Sequence, residues 1–525
     1  MAKSPLQTPG VYINEMDAFP NSVVGVPTAV PAFIGYTPQA IYQGKSCINV
    51  PTKIQSFSDF KTIFCYPDPP PPADPAKQYQ PQYYLVPQKE KPYQGPFIFT
   101  EGVYYSLLPD PNSVYYLYNS IRLFYENGGG DAYIVSVGTY GKPSGKPINF
   151  GDALVNTNIQ LNPLLHGLEI LKNETEPTMY LCPDATLLSI DDNSTFMKAM
   201  LLQSATMQTA ICIFDVIGGK SPDPILYAND IDTFRNALGT EGLDYGVVYY
   251  PFIGTTVTQN NEIHYTNLFG GDIALLAAIL NPLTNPNPVV GSILKEIEAG
   301  GSGLSVAQLN AALINASASY ASIIKLVVED VNLLPPSGGM AGVMTTIDAN
   351  DGVWKAPANT SIVGAVSLPI RLTDAQQATL NVDAVSGKSI NAIRYFNGLG
   401  ILVWGARTLD GNSLDWRYIS VRRTVIFLEQ SCKLAAQAYV FAPNNAATWE
   451  AVKTMISSFL TNIWKEGGLM GATPADAFLV DCGLGSTMTA EDILQGFMRV
   501  VVKVALVRPA EFIIIEFTQQ MPQSS

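Results

Sequence analysis

Charge is scarce in this chain. Lys, Arg, Asp and Glu make up 14% of its 525 residues, against about 25% in an average soluble domain. A chain of this size with so few charges has little polar surface to offer water. That favours a subunit that buries much of its exterior against other subunits; a large monomer with long neutral loops is the alternative. The charge that is present is mostly negative, with a formal net of −14. This argues against nucleic-acid binding, which needs clustered Lys and Arg to neutralise phosphates. Histidine is nearly absent. His166 and His264 are the two, both in polar, loop-like stretches without an acid at metal-ligand spacing. The six cysteines, at 47, 65, 182, 212, 432 and 482, include no short-spaced pair. They fit reduced thiols better than a disulfide framework. No apolar run reaches about 18 residues, so no membrane-spanning helix is expected. Pro5 and Pro9, with no apolar core around them, do not make a signal peptide. Assembly in the cytoplasm is expected, with any export occurring as part of a whole released particle.

Nucleotide motifs fail on inspection. Gly218-Gly219-Lys220-Ser221 resembles the end of a phosphate-cradling loop, but Phe214 stands where that pattern needs glycine. Pro222 and Pro224 also follow where a helix is required. Gly128-Gly129-Gly130 lacks the dinucleotide-binding spacing and reads as a turn before a strand over 132–137. No catalytic, cofactor-binding or metal-binding residue is assigned.

What the chain does contain is an α/β rhythm. Strands are predicted over 179–182, 211–216 and 245–250, with helices over 195–206 and 231–238 between them. Strand, helix, strand, helix, strand in so short a stretch predicts parallel strands. A further helix is expected over 271–280. Glycine-rich loops are read at 300–303 and 335–342, and a second structured unit from about 365. Its landmarks are a strand over 401–404, helices over 417–441 and 446–465, and strands over 477–481, 499–507 and 511–517. Residues 67–96 hold ten prolines and read as a semi-rigid surface connector with polyproline character. The negative charge is uneven: residues 400–525 carry a net of −1 and the first 399 carry −13.

The two chain ends draw attention. Val11 and Ile13 project to one face of a short strand, with Tyr12 on the other. Phe512, Ile513, Ile514 and Ile515 are apolar on both faces and demand burial on both. A lone strand of this length is unstable in water. Each must add to a sheet, either its own subunit's or a neighbour's. Burying Val11, Ile13, Phe512 and Ile514 contributes roughly 1.5–3 kcal/mol each, about 6–12 kcal/mol together before ordering costs. On the helix over 446–465, Trp449, Val452, Ile456, Phe459 and Ile463 form one stripe at helical spacing. Glu450, Lys453 and Lys465 lie off it and face a partner or solvent.

A set of motifs runs in order along nearly the whole chain. Thr8 to Ile13 and Val30 to Tyr36 open it, and Arg122 to Gly130 follows. Pro335 to Gly338 with Gly342-Val343 comes next, then Gly352 to Asn359, Asn391 to Phe396 and Val403 to Thr408. Trp416 to Arg423 and Arg508-Pro509-Ala510-Glu511-Phe512 complete it. Together they resemble the contractile tail sheath proteins of phages and phage-tail-like injection systems.

The resemblance implies an α/β multidomain fold. Its parts are a conserved α+β carboxyl-terminal sheath domain, strand-exchanging terminal arms and a subtilisin-like middle domain without protease function. Expected boundaries are an arm at 1–22, an amino-terminal sheath region at 23–150 with a Pro/Tyr-rich insertion at 64–116, and an outer domain at 151–365. An inner sheath domain at 366–507 and an arm at 508–525 follow. The implied function is a structural, non-enzymatic subunit that polymerises helically around an inner tube and contracts to drive it out. Implied partners are further copies of the chain, the inner tube protein, and baseplate and cap proteins, with no nucleic acid, no membrane insertion and no cofactor. An extracellular injection system is the leading setting and a contractile phage the alternative. A subtilisin-like hydrolase ranks below both.

Overall fold

A computed structural model describes residues 23–66, 79–301 and 303–514. The described residues divide into two compact units, one of residues 27–426 with 508–514, the other of residues 23–26 with 427–507.

The first unit is built on an eight-stranded sheet. Six strands run parallel, in the spatial order Asn391–Phe396, Gly246–Tyr250, Ile211–Asp215, Met179–Leu181, Pro31–Thr37 and Ala132–Thr139. Antiparallel strands close both edges, Gly400–Val403 beside the first and Thr52–Ile54 beside the last. The parallel pairing of the three strands between 179 and 250 is the one their rhythm predicts. Strands Pro31–Thr37, Met179–Leu181, Ile211–Asp215 and Gly246–Tyr250 are buried at every position. They read as unbroken apolar runs because both faces of a parallel sheet are covered. Helices Leu161–Ile170, Ile190–Met207, Leu117–Glu126 and Ser337–Asp351 supply the cover.

This sheet draws strands from three of the expected stretches, 23–150, 151–365 and 366–507. The boundaries at 150 and 365 therefore fall inside one hydrogen-bonded structure, and the larger segment of the second unit begins at Phe427. Counted along the chain, the parallel strands lie in the order 6-5-4-3-1-2, a doubly wound arrangement with its reversal between Pro31–Thr37 and Met179–Leu181.

Residues 335–342, expected as a loop, begin the helix Ser337–Asp351. Its glycines exist for packing. A Cβ on Gly338 would lie 2.5 Å from the Ser120 carbonyl oxygen, and one on Gly342 2.5 Å from that of Phe124. Helix 337–351 therefore rests backbone-to-backbone on helix 117–126, and close approach offsets the poor helix propensity of glycine.

The Pro/Tyr-rich insertion is likewise not a connector where it is described. Tyr83–Gln88, Val103–Pro109 and Phe97–Thr100 form a three-stranded antiparallel sheet. The sheet shares a core with helices Ile273–Leu280, Pro288–Glu298, Val306–Ala316 and Ala318–Val331. Tyr83, Leu107, Leu276, Leu313 and Ile323 are buried there. Prolines sit at strand ends or edges, where the missing N–H costs no ladder bond.

The second unit is smaller. Helix Ala446–Lys465 starts where Asn445 accepts the Thr448 N–H, a standard N-cap. Its buried side chains are Val452, Met455, Ile456, Phe459, Leu460 and Ile463, the predicted stripe widened by Met455 and Leu460. It packs on the strand Phe478–Asp481, which pairs antiparallel with Val501–Val504. Phe427 and Phe459 meet with ring centroids 5.9 Å apart.

Candidate assembly surfaces

In a doubly wound sheet the ligand crevice lies beyond the strand carboxyl ends where the order reverses. Here that place is filled by the chain itself. Asp184, fully buried after strand Met179–Leu181, accepts the N–H groups of Tyr36 at 3.1 Å, Tyr116 at 2.7 Å and Leu117 at 3.0 Å. The last two open the helix Leu117–Glu126, so an internal carboxylate sits where a bound anion would sit. Burial pushes the Asp184 carboxyl up to about 6, against the pull of those three N–H groups. Asp215 ends the next strand in the same way, accepting the Ser337 N–H at 2.9 Å at the start of helix 337–351. Burial pushes it up to about 7.

The other chemical candidates are also occupied by structural roles. Lys220, from the phosphate-loop look-alike, pairs with Asp330 at 2.8 Å, and Tyr83 donates to the same carboxylate at 2.7 Å. His166 lies exposed on the helix Leu161–Ile170, a correction to its loop assignment. His264 precedes a short 3-10 turn, and burial holds its imidazole below the usual range. Among the described residues, no group of three His, Cys, Asp or Glu is arranged to hold a metal. No helix among them is long and apolar enough to cross a membrane.

The surfaces that remain unsatisfied are apolar. In the second unit, the sheet of Phe478–Asp481 and Val501–Val504 has two strands, and among the described residues neither outer edge is paired along its length. Leu479, Val501 and Val502 on this sheet are exposed, as are Leu484, Leu494 and Phe497 beside it in sequence. A two-stranded sheet of four-residue strands is marginal by itself.

The predicted arm residues divide. Val11, Tyr12, Ile13 and Ile515 lie outside the described residues. Phe512, Ile513 and Ile514 are described; they belong to no strand and are 72%, 78% and 85% exposed. The strand expected over 511–517 is thus not formed over 511–514. Just before them, Glu511 is half-buried in a polar socket that sequence reasoning missed. Arg407, 3% exposed, donates through Nε and Nη2 to both Glu511 carboxylate oxygens at 2.6–3.1 Å. Asn381 donates at 2.6 Å and the Tyr418 hydroxyl at 3.2 Å. Burial pushes the Glu511 carboxyl up, but the Arg407 bonds, then Asn381 and Tyr418, more than offset it and hold it below the usual range.

Of the helix charges, Glu450 and Lys453 pair with each other at 3.2 Å, while Lys465 is exposed at the last turn. All three lie off the buried stripe.

Residues 412–520 match the phage tail sheath C-terminal domain family. Over 139 residues the chain is 29% identical to the tail sheath protein of Vibrio phage KVP40; the alignment covers 26% of this chain and 20% of that protein. The chain thus spans about a fifth of that relative's length. Two solved structures extend the likeness to nearly the whole chain. One is the sheath complex of the extracellular contractile injection system PVC in its contracted state. It is 25% identical with a TM-score of 0.57, covering 99% of this chain and 100% of that one. The other is the contracted helical sheath of the anti-feeding prophage, 26% identical with a TM-score of 0.56, covering 98% and 100%. Residues 412–520 thus match a tail sheath carboxyl-terminal domain, and the fold of the chain is similar to that of contractile-sheath chains.

Proposed function

We propose that this protein is the structural subunit of a contractile sheath, which polymerises helically around an inner tube and contracts to drive the tube through a target envelope. The observation that carries the reading is the likeness to contractile-sheath chains over 98–99% of the residues. The open-edged sheet of the second unit and the exposed apolar residues 512–514 support it. In this reading the strands Phe478–Asp481 and Val501–Val504 accept the 1–22 and 508–525 arms of neighbouring copies. Backbone hydrogen bonds provide affinity and alternate side-chain pockets provide register.

The sheath is assembled extended and metastable. On triggering, subunits turn as rigid bodies into a shorter lattice with larger contacts, held together by their arms. Stored energy lies in packing, so the chain needs no nucleotide, metal or catalytic group. The subtilisin-like element implied by the family resemblance is read here as the doubly wound unit. Its carboxylates Asp184 and Asp215 cap helices, and the domain keeps no protease role. The inner tube meets Glu450, Lys453 and Lys465, and baseplate and cap proteins bind the two ends of the polymer. Subunits fold in the cytoplasm and leave within a released particle. An injection system is the leading setting; a contractile phage fits the same geometry.

Negative-stain microscopy of the purified protein tests the function. Striated tubes or stacked rings are the expected result. Monodisperse particles at every protein and salt concentration, together with labelling by a serine-reactive probe, would transfer the case to a hydrolase.

A further inference from the structure

Two side chains peg the chain to its own first unit just before the exposed apolar segment. Arg508 donates to the Leu414 carbonyl and lies 3.7 Å from Asp415. Glu511 enters the Arg407 socket. Between them Pro509 fixes the backbone φ and removes a donor. The socket is itself tied to the central sheet. Asn391, fully buried in strand Asn391–Phe396, accepts the Arg407 N–H at 2.8 Å and donates to the Arg407 carbonyl at 2.8 Å and to that of Val248 at 3.0 Å. Val248 lies in the neighbouring strand Gly246–Tyr250. A chain of short polar contacts therefore runs from Glu511 through Arg407 and Asn391 into the parallel sheet. One residue beyond Glu511 the side chains turn fully outward.

Such an arrangement is not needed merely to fill the core. Arg407 is buried at the cost of its hydration, and a buried guanidinium needs a paired carboxylate. The carboxylate is supplied from 104 residues away, by the last residue before the exposed segment. We propose that Arg407 is a latch for the carboxyl-terminal arm: it fixes Glu511 to the central sheet, so that load on residues from 512 onward, once they engage a second copy of this chain, passes into the sheet. This rests on the arm-exchange reading above. The bidentate geometry suits the task, because it fixes the direction of the exit as well as its position. Without the latch, pull on the arm would peel residues 508–511 from the subunit before any neighbouring contact was strained.

The test uses full-length protein carrying Glu511→Gln, which keeps shape and removes charge. Hydrogen exchange of the Arg407 amide, bonded to Asn391, and of the Thr408 amide, bonded to the Arg417 carbonyl, is expected to quicken about tenfold to a hundredfold as the socket loosens, the loss of one charged hydrogen-bonded pair. Amides of the strand Ile211–Asp215 should keep their protection. Tyr418→Phe, which removes the longest bond to Glu511, should give a smaller change at the same amides. Sheaths from Glu511→Gln should dissociate at lower urea than wild type. Unchanged exchange at Arg407 and Thr408, or wild-type urea resistance, overturns the latch. Truncation after Glu511 separates the two ideas. If the truncated chain builds normal sheaths, arm exchange itself fails. If it builds none while Glu511→Gln matches wild type in both readouts, the latch alone fails.

Discussion

The two units of this chain use apolar residues in opposite ways. In the unit of residues 27–426, the strands between 31 and 250 that form the centre of the sheet are buried almost throughout, and Asp184 and Asp215 beyond their carboxyl ends accept the N–H groups that open helices 117–126 and 337–351. In the unit that contains residues 427–507, one helix face is buried, but among the described residues the sheet it covers leaves Leu479, Val501 and Val502 exposed and neither edge paired along its length. The first resembles a finished domain. The second, among the described residues, resembles half of one; in the proposed reading its remaining strands come from neighbouring copies.

Truncation challenges the contrast most strongly. Removing residues 512–525 takes away exposed apolar residues and leaves the Arg407–Glu511 pair intact. The truncated protein is expected to melt cooperatively, near the wild-type temperature, and to sediment as a subunit without forming ordered sheath. Removing residues 1–20 should do the same. Thermal melting combined with sedimentation checks both. Aggregation or loss of the cooperative melt would mean that the removed segment completes the subunit's own sheet.

Next in size is a change inside the finished unit. Gly338→Ala puts a methyl group 2.5 Å from the Ser120 carbonyl oxygen, against rigid backbone. Helices 117–126 and 337–351 must separate, at about 1–3 kcal/mol. Denaturant unfolding should show that loss. Gly303→Ala is a control for crowding, since nothing lies within 4 Å of its Cβ position, although its φ of +93 adds some strain of its own. Equal stability of Gly338→Ala and wild type would mean that the helices approach less closely than described.

A smaller effect depends on pH. Burial pushes the Asp215 carboxyl up to about 7, above its unfolded value of about 4. Between those values the folded state holds a proton that the unfolded state has released. This group's contribution to stability is therefore full below about pH 4 and is lost as pH rises towards 7. Glu511, held low, acts in the opposite sense, contributing above its unfolded value and losing that contribution as pH falls. The informative quantity is thus a difference. Asp215→Asn keeps an acceptor for the Ser337 N–H and cannot titrate, so wild type minus variant should decline from pH 4 to 7. A flat difference would place Asp215 in water.

How far the sequence reveals these features depends on distance along the chain. The helix Ala446–Lys465 is legible to the residue, because Asn445 caps it and its apolar stripe repeats at helical spacing. The parallel strands at 179–181, 211–215 and 246–250 are legible because each is a short apolar run between helical stretches. The helix Ser337–Asp351 is not, since Gly338, Gly339 and Gly342 look like a loop until the partner backbone of helix 117–126 is seen. The sheet over 83–109 is hidden by its prolines, and the core it shares with helices 273–331 by separation in sequence. Arg407 and Glu511 both lie in motifs that support the family resemblance, but no local pattern joins residues 104 apart.

The smallest effect on the subunit is expected from the charges of helix 446–465. Lys453 is about one-third exposed and paired with an exposed Glu450, and such a pair contributes little to folding, about 0–1 kcal/mol. Lys465 follows the last buried residue of the stripe. Reversing both, Lys453→Glu with Lys465→Glu, should leave the melting temperature and the tube-free polymer unchanged. Co-assembly with the inner tube should fall, and should fall more at low salt, because interactions between exposed charges are screened beyond about 10 Å at 0.1 M. A surface that must release the tube on firing is served by such weak contacts, which a few reversed charges are enough to cancel. Wild-type co-assembly at both salt concentrations would remove this helix from the tube-facing surface and leave its polar face to solvent.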